Sequence, residues 1–319
     1  MTVPTRRHIV TSALVLIPLT FVPAVAIETA GNRSGEPRVH RYLVGMTVRA
    51  QGGDCQQIVS TIPVPGDWPE QQVSIVDEDF SHHVQNVQYG KSPNGTEFMQ
   101  ISIPYLPNGD MAKALVTYEI TRHPPTRPDS PATLHKPKNV PRNVRPFLGA
   151  SPLIEVRNGT IRRWSKTIEW TDDSAWTSVE AVHDAVREKV TFQQGKLKGA
   201  ARTLKQGHGN HEDITSLFIA ICRIHGIPAR TVWVPDQCYA EFYLHDDQDQ
   251  GQWYPCQLTG EAKFGTIRHL GPVLQKGDNF KVSGRRKAVR FVPETLSGAG
   301  QGQPQVNFVR QLMGSPAVQ

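Results

Sequence analysis

The hydrophobic period of the chain changes near residue 150. In the first half, Tyr42, Val44, Met46 and Val48 alternate with Arg41, Leu43, Gly45, Thr47 and Arg49, which is the period of a half-buried strand. The signal returns at 73–76, 98–103 and 115–120. Turn residues separate the runs: Pro63-Val64-Pro65-Gly66, Asn94-Gly95 and Pro107-Asn108-Gly109-Asp110. After a short flexible lead (27–36), the pattern predicts a small antiparallel β domain over 37–122, sandwich-like in architecture. Residues 123–149 contain Pro124, Pro125, Pro128, Pro131, Pro137, Pro141 and Pro146. Such a run forbids regular structure and stiffens the chain, so it predicts an interdomain linker that can lie along one domain.

From Ser151 the spacing turns helical. Trp176, Val179, Val182, Val186 and Val190 fall on one face, with Asp172, Asp173 and Ser174 as capping candidates. Residues 195–209 read as a loop. Ile214, Leu217, Phe218, Ile221 and Cys222 then predict a buried helix with one wet side, ending at Gly226. Two strands follow, 238–244 and 252–257, joined by the polar turn 245–251. Segments 264–266 and 274–280 suggest a structured loop bordering a cleft. The composition beyond Leu296 (Gly298-Ala-Gly-Gln-Gly-Gln-Pro) predicts a disordered tail over 296–319. The fold class is therefore α+β, with a second domain over 150–295.

Composition adds a location and removes some partners. With 319 residues, 38% apolar and 20% charged, and a mean hydropathy of -0.40, the bulk of the chain is that of a soluble globular protein. Residues 1–26 stand apart. Arg6-Arg7 precede an apolar run over 9–25, and Ala24-Val25-Ala26 supply small residues at a cleavage site, the layout of a signal peptide cut near Ala26. Pro18 and Pro23 weigh against a retained membrane anchor, so the mature chain is expected to be exported, without stable membrane insertion. Net charge is +6, and the basic stretch 281–290 lacks the interleaved aromatics of a nucleic-acid platform. Nucleic acid is excluded as an expected partner, and no cofactor is implied. Cys55, Cys222, Cys238 and Cys256 include no C-x-x-C pair and are too few for a disulfide scaffold.

The chemistry concentrates in Gly209-Asn210-His211-Glu212-Asp213, the helix behind it, Gly226-Ile227-Pro228-Ala229-Arg230, Gln237-Cys238-Tyr239-Ala240-Glu241 and Trp253-Tyr254-Pro255-Cys256. Together these resemble the bacterial transglutaminase-like superfamily, over about residues 150–295. The resemblance implies a papain-like α+β core and a Cys-His-Asp triad. In such a triad a thiolate is stabilised at a helix N-terminus, histidine carries its proton and a carboxylate orients the histidine. Laid onto this chain, the three positions fall on His211, Gln237 and Cys256. Gln237 cannot be a general base, and a thiol cannot hold an imidazole as a carboxylate does.

The expectation is a catalytically degenerate member that binds or scaffolds a peptide, protein or cell-envelope polymer. Its ligand-binding candidates are His208, His211, Gln237, Tyr239, Trp253 and Cys256. An active thiol enzyme using Cys256 or Cys238 is the alternative. Metal binding by His208, His211, Glu212, Asp213 and Cys256 is a weaker one, because the spacing matches no zinc signature. A Cys238–Cys256 disulfide would require those residues to share a face, whereas the family pattern places 237 and 256 together. Asp213 reads as a helix cap rather than a partner for Arg230.

Overall fold

A computed structural model describes residues 36–314, apart from 93, 94, 126, 172, 262, 268–270 and 283. The signal-peptide expectation for 1–26 lies outside the described residues. So do Asn94 of one expected turn and Asp172 of the expected cap.

The β domain consists of two four-stranded antiparallel sheets. One is ordered β15 (Gln303–Met313), β1 (Arg38–Gln51), β6 (Met111–Arg122), β3 (Gln71–Phe80), and the other β14 (Thr295–Gly300), β2 (Cys55–Pro63), β5 (Glu97–Leu106), β4 (Asn86–Lys91). Strands β1, β3, β5 and β6 contain the runs expected from alternation. Tyr42, Val44, Met46 and Val48, beside Val116 and Ile120 in the same sheet, share one core with Ile58, Met99, Ile101 and Ile103 of the other. Strands β2 and β4 complete the set without a comparable sequence signal. Gly45 is required in β1, since a Cβ there would meet the Ala114 carbonyl oxygen of β6 at 2.1 Å.

The expected disordered tail is instead structural. Strands β14 (Thr295–Gly300) and β15 (Gln303–Met313) return to the β domain. β15 pairs with β1 from Arg41 opposite Met313 to Gln51 opposite Gln303, and β14 pairs with β2. Glycines and glutamines lower the apparent order of such a sequence, but a strand needs only backbone donors and one packed face. Leu296, Val306 and Phe308 supply that face. The two sheets thus combine strands from 38–122 with strands from 295–313, and the segment between them carries its own hydrophobic core.

The linker packs along the second domain. His135 exchanges two backbone hydrogen bonds with His245 (2.9 and 3.0 Å), and Leu134 joins the core. The core of the second domain sits between four helices and a five-stranded antiparallel sheet. The helices are α1 (Gly159–Ser165), α2 (Ala175–Lys189), α3 (Ala200–Gln206) and α4 (His211–Ile224). Helices α1 and α3, each seven residues, were not foreseen; α3 occupies part of the expected 195–209 loop. A run that short offers too little periodicity to read. Ser174 caps α2 as expected, accepting from Thr177 N.

The sheet runs β12-β11-β10-β9-β13, from β9 (Ala229–Val234), β10 (Gln237–His245), β11 (Gly251–Gln257), β12 (Lys263–Phe264) and β13 (Gln275–Lys276). The two-residue strands β7 (Thr191–Phe192) and β8 (His208–Gly209) pair in parallel ahead of α4. Segments 264–266 and 274–280 are built into the sheet and core. Phe264 packs on Trp176 and Phe242, and Gln275–Lys276 extend the sheet. Among the described residues, no helix is long and apolar enough to cross a membrane.

Buried polar contacts tie β3 and β6 to β10 and to the segment around Val273. The Gln71 side chain, 1% exposed, donates to the Val273 carbonyl (2.9 Å) and accepts from Val273 N (2.7 Å). Arg122, at the end of β6 and fully buried, donates to Tyr239 Oη (2.8 Å) and to the Gly271 carbonyl.

Candidate functional site

Helix α4 organises the site. Asn210 caps it by accepting from Asp213 N (2.9 Å), and Asp213 Oδ2 accepts from Asn210 N in return (3.3 Å), a complete capping box. Asp213 Oδ1 also accepts from Lys198 N and Gly199 N, both 2.8 Å. Asp213 therefore acts as the cap that its position suggested, and Arg230 pairs with Glu241 instead (2.7 Å). The expected wet side is missing, because every residue from Asp213 to Arg223 is buried. Polar residues on that side are satisfied from within: Ser216 donates to the Glu212 carbonyl, and Arg223 meets Asp278.

The far end of α4 explains the Gly-Ile-Pro segment. Ile227 N bonds the Cys222 carbonyl (2.9 Å) and Gly226 N the Arg223 carbonyl (3.1 Å), with Gly226 at φ +77°, a Schellman stop that favours glycine. Arg223 and Asp278 are both fully buried and bonded at 2.8 and 2.9 Å. Ser151 Oγ and Thr231 N donate to the same carboxylate (2.6 and 3.1 Å). The pair fixes α4 to β9 and to the segment after β13.

At the N-terminus, His211 is the first helical residue and half-buried. Its Nδ1 shares a 2.6 Å hydrogen bond with Thr259 Oγ1, and its ring lies 4.5 Å from that of exposed Phe192. Burial lowers the imidazole pKa, which keeps the ring neutral near pH 7. Close by, Lys198 Nζ donates to His208 Nδ1 (2.9 Å). His208 and His211 thus share the entrance to α4. Asp213 is taken up by capping, and among the described residues no three or more His, Cys, Asp or Glu side chains are grouped so as to hold a metal ion.

Register corrects the third position. Ala240 lies opposite Cys256, so Cys256 shares a sheet face with residues 238 and 240 and not with Gln237. That face packs under α2 and α4, and Cys256 is fully buried in the core. Burial, reinforced by nearby Cys222, drives its thiol pKa well above the normal value. Cys256 is therefore not a cleft residue. Its neighbour Gln257, half-exposed, continues the Gln237 face, and its Nε2 donates to the Thr259 carbonyl (3.1 Å). Reading one residue too early hid Gln257. The signal that could have found it was face parity across the hairpin.

Cys238 lies on the helix side with Thr215, Glu212 and Asp213 nearby, and burial pushes its thiol up to about 12. All four cysteines are free and buried; although Cys238 and Cys256 do share a face, they are not bonded. Tyr239 and Trp253 share the Gln237 face of the sheet. Tyr239 is buried against Arg122 of the β domain, and Trp253 lies beneath the Arg230 guanidinium at 3.9 Å.

A buried charge cluster lies on the Tyr239 face. Lys276 Nζ contacts Glu241 Oε1 (2.8 Å) and Glu70 Oε1 (2.6 Å), while Arg230 holds the other Glu241 oxygen (2.8 Å). Burial raises the Glu241 carboxyl pKa, but the Lys276 and Arg230 charges outweigh it and hold it below the usual range. Asp278 is likewise lowered, with burial opposed by Arg223. Folded pKa values depressed below the unfolded ones give stability that is present above about pH 4.3 and lost as pH falls through the folded values. The melting temperature is therefore expected to hold level from neutral pH to about pH 5 and to drop steeply below about pH 4. Glu241→Gln should lessen that acid sensitivity in a scanning-calorimetry pH series, even as it lowers stability at pH 7.

Residues 162–258 match the family model described as the transglutaminase-like superfamily. The residues from which the resemblance was drawn lie almost entirely within that match. A solved structure of a candidate cysteine protease from Cytophaga hutchinsonii shares the fold, with a TM-score of 0.58 and 15% identity. The alignment covers 88% of this chain and 93% of that one. A candidate protease from Parabacteroides distasonis ATCC 8503 aligns over 70% of this chain and 47% of its own. Its identity is 11% and its TM-score 0.28, too low to support an argument. No curated protein matches the chain significantly.

Proposed function

We propose that this transglutaminase-like domain is catalytically degenerate and holds a peptide or cell-envelope component at the α4 entrance without thiol chemistry. The observation that supports this most strongly is the state of the cysteines. The helix N-terminus that would activate a thiol carries His211, and burial raises the thiols of Cys55, Cys222, Cys238 and Cys256. Gln237 and Gln257 present amides at the positions where an acyl transferase of this fold needs an imidazole and a carboxylate. Gln257 bonds Thr259, Thr259 bonds His211, and the His211 ring meets exposed Phe192, so hydrogen-bonding groups lie beside apolar surface, a composition suited to an extended peptide.

Alkylation tests the chemistry. Folded protein is expected to resist iodoacetamide while denatured protein labels at all four cysteines. Rapid, pH-dependent labelling of Cys238 or Cys256 in the folded state would restore the thiol-enzyme reading. Placing a thiol where the helix can act on it, His211→Cys, should give a single site that labels about 100-fold faster than any native cysteine. Binding is read separately, by shifts of the Phe192, His211 and Thr259 NMR signals on titration with envelope-derived peptides. The absence of such shifts at any peptide concentration removes the binding proposal. Export belongs to the same reading, and a mature N-terminus at Ile27 in purified native protein is its expected signature.

A further inference from the structure

We infer that the β domain has a separate docking groove, at the open seam between edge strands β3 and β4, for an extended cationic peptide that inserts an aromatic or branched apolar side chain. The seam follows from the topology. Strand β3 is the edge of one sheet and β4 the edge of the other, and each pairs with a single neighbour, β6 or β5. Between them lies a cavity of about 550 Å³, within the range of small-ligand and side-chain pockets.

The groove is shaped rather than merely uncovered. Phe98 and Tyr118 line its floor, and Val73 and Ile75 form the β3 wall. Gly90 lets β4 cross the floor, because a Cβ there would meet the Phe98 ring at 2.8 Å. Tyr89 Oη donates to Glu78 Oε1 across the seam (2.6 Å), tying the two edges together at one point. Ile75 and Tyr89 nonetheless remain 43% and 44% exposed, large apolar surfaces without cover on edge strands, where exposed backbone is a template for pairing.

Charge selects the occupant. The chain as a whole is basic, at +6, yet this seam is acidic. Asp67 and Glu97 line the cavity together with Lys91. Glu78 lies on the cavity face of β3, and Asp77 and Asp79, opposite Thr117 and Leu115, lie on its outer face, where alternate residues of an added strand would also point. Lys91 is taken by Glu97 (3.3 Å) and Lys113 by Asp79 (2.6 Å). Among the described residues no cation pairs with Asp67, Asp77 or Glu78. A strand whose apolar residues alternate with lysine or arginine would place its anchor in the cavity and its charges along the acidic rim.

The probe is the acetylated, amidated hexapeptide Thr-Lys-Phe-Lys-Val-Lys, titrated into the whole chain and followed by amide NMR shifts. Saturable shifts at 73–75 and 89–91 are expected, with binding weakened at least about tenfold when the lysines become glutamates. Ile75→Lys, on an exposed edge where folding should survive, is expected to weaken binding at least about tenfold at unchanged melting temperature. His211→Ala should leave it unaltered, which separates this groove from the α4 site. The inference is overturned by shifts that never saturate, by equal binding of the glutamate peptide, or by loss of binding in His211→Ala. The wild-type shift map decides the matter even if Ile75→Lys fails to fold.

Discussion

Truncation after Glu294 is expected to abolish folding of the β domain and to reduce the soluble yield of the chain at least tenfold. Removing β15 strips the hydrogen-bonded partner from β1 along its length, from Arg41 to Gln51. Removing β14 does the same to β2. Two sheets would then each expose a long new edge, and Leu296, Val306 and Phe308 would no longer cover the core. Exposed apolar edges pair with other chains, so aggregation should accompany the loss of order. The measurement is the amide dispersion and sedimentation of the truncated chain beside the intact one. A truncation with normal dispersion and unchanged melting would mean that the segment is as dispensable as its composition suggests.

The second large effect is expected at the Arg223–Asp278 pair. Asp278→Ala should destabilise the protein by about 3–5 kcal/mol, because it leaves a guanidinium buried without its counter-ion. Thermal unfolding should register a fall on the order of 10 °C. The double variant Arg223→Met/Asp278→Leu should recover much of the loss, since the cost comes from the orphaned charge more than from the missing attraction. A single variant as mild as a surface substitution would show that water reaches Arg223, contrary to its full burial.

Much of this architecture could be read from the residues, and the exceptions share a cause. β1 and α2 each present an uninterrupted period, and both lie where the alternation of Tyr42–Val48 and the spacing of Trp176–Val190 placed them. The Gly226-Ile227-Pro228 stop was visible because its φ of +77° favours glycine. What escaped was structure whose logic is not local. β15 is a strand because it pairs the edge of β1 that β6 leaves open, a fact recorded some 260 residues away. Cys256 and Gln257 differ by one position, and only the pairing of Ala240 with Cys256 decides which of them meets the core. The buried side of α4 looked wet because Ser216 and Arg223 are polar, while their partners lie on the helix's own backbone and at Asp278.

The pairing of the first strand with the last also orders events in time. A chain made from its N-terminus exposes the β1 edge early, yet β15 follows that strand by about 250 residues. The second domain, whose helices and sheet are contiguous in sequence, can fold while β1 still waits. The sandwich must therefore close last, and a stalled or clipped chain would keep an open, adhesive edge throughout. For this protein, the arrival of β14 and β15 at those waiting edges is itself a folding step.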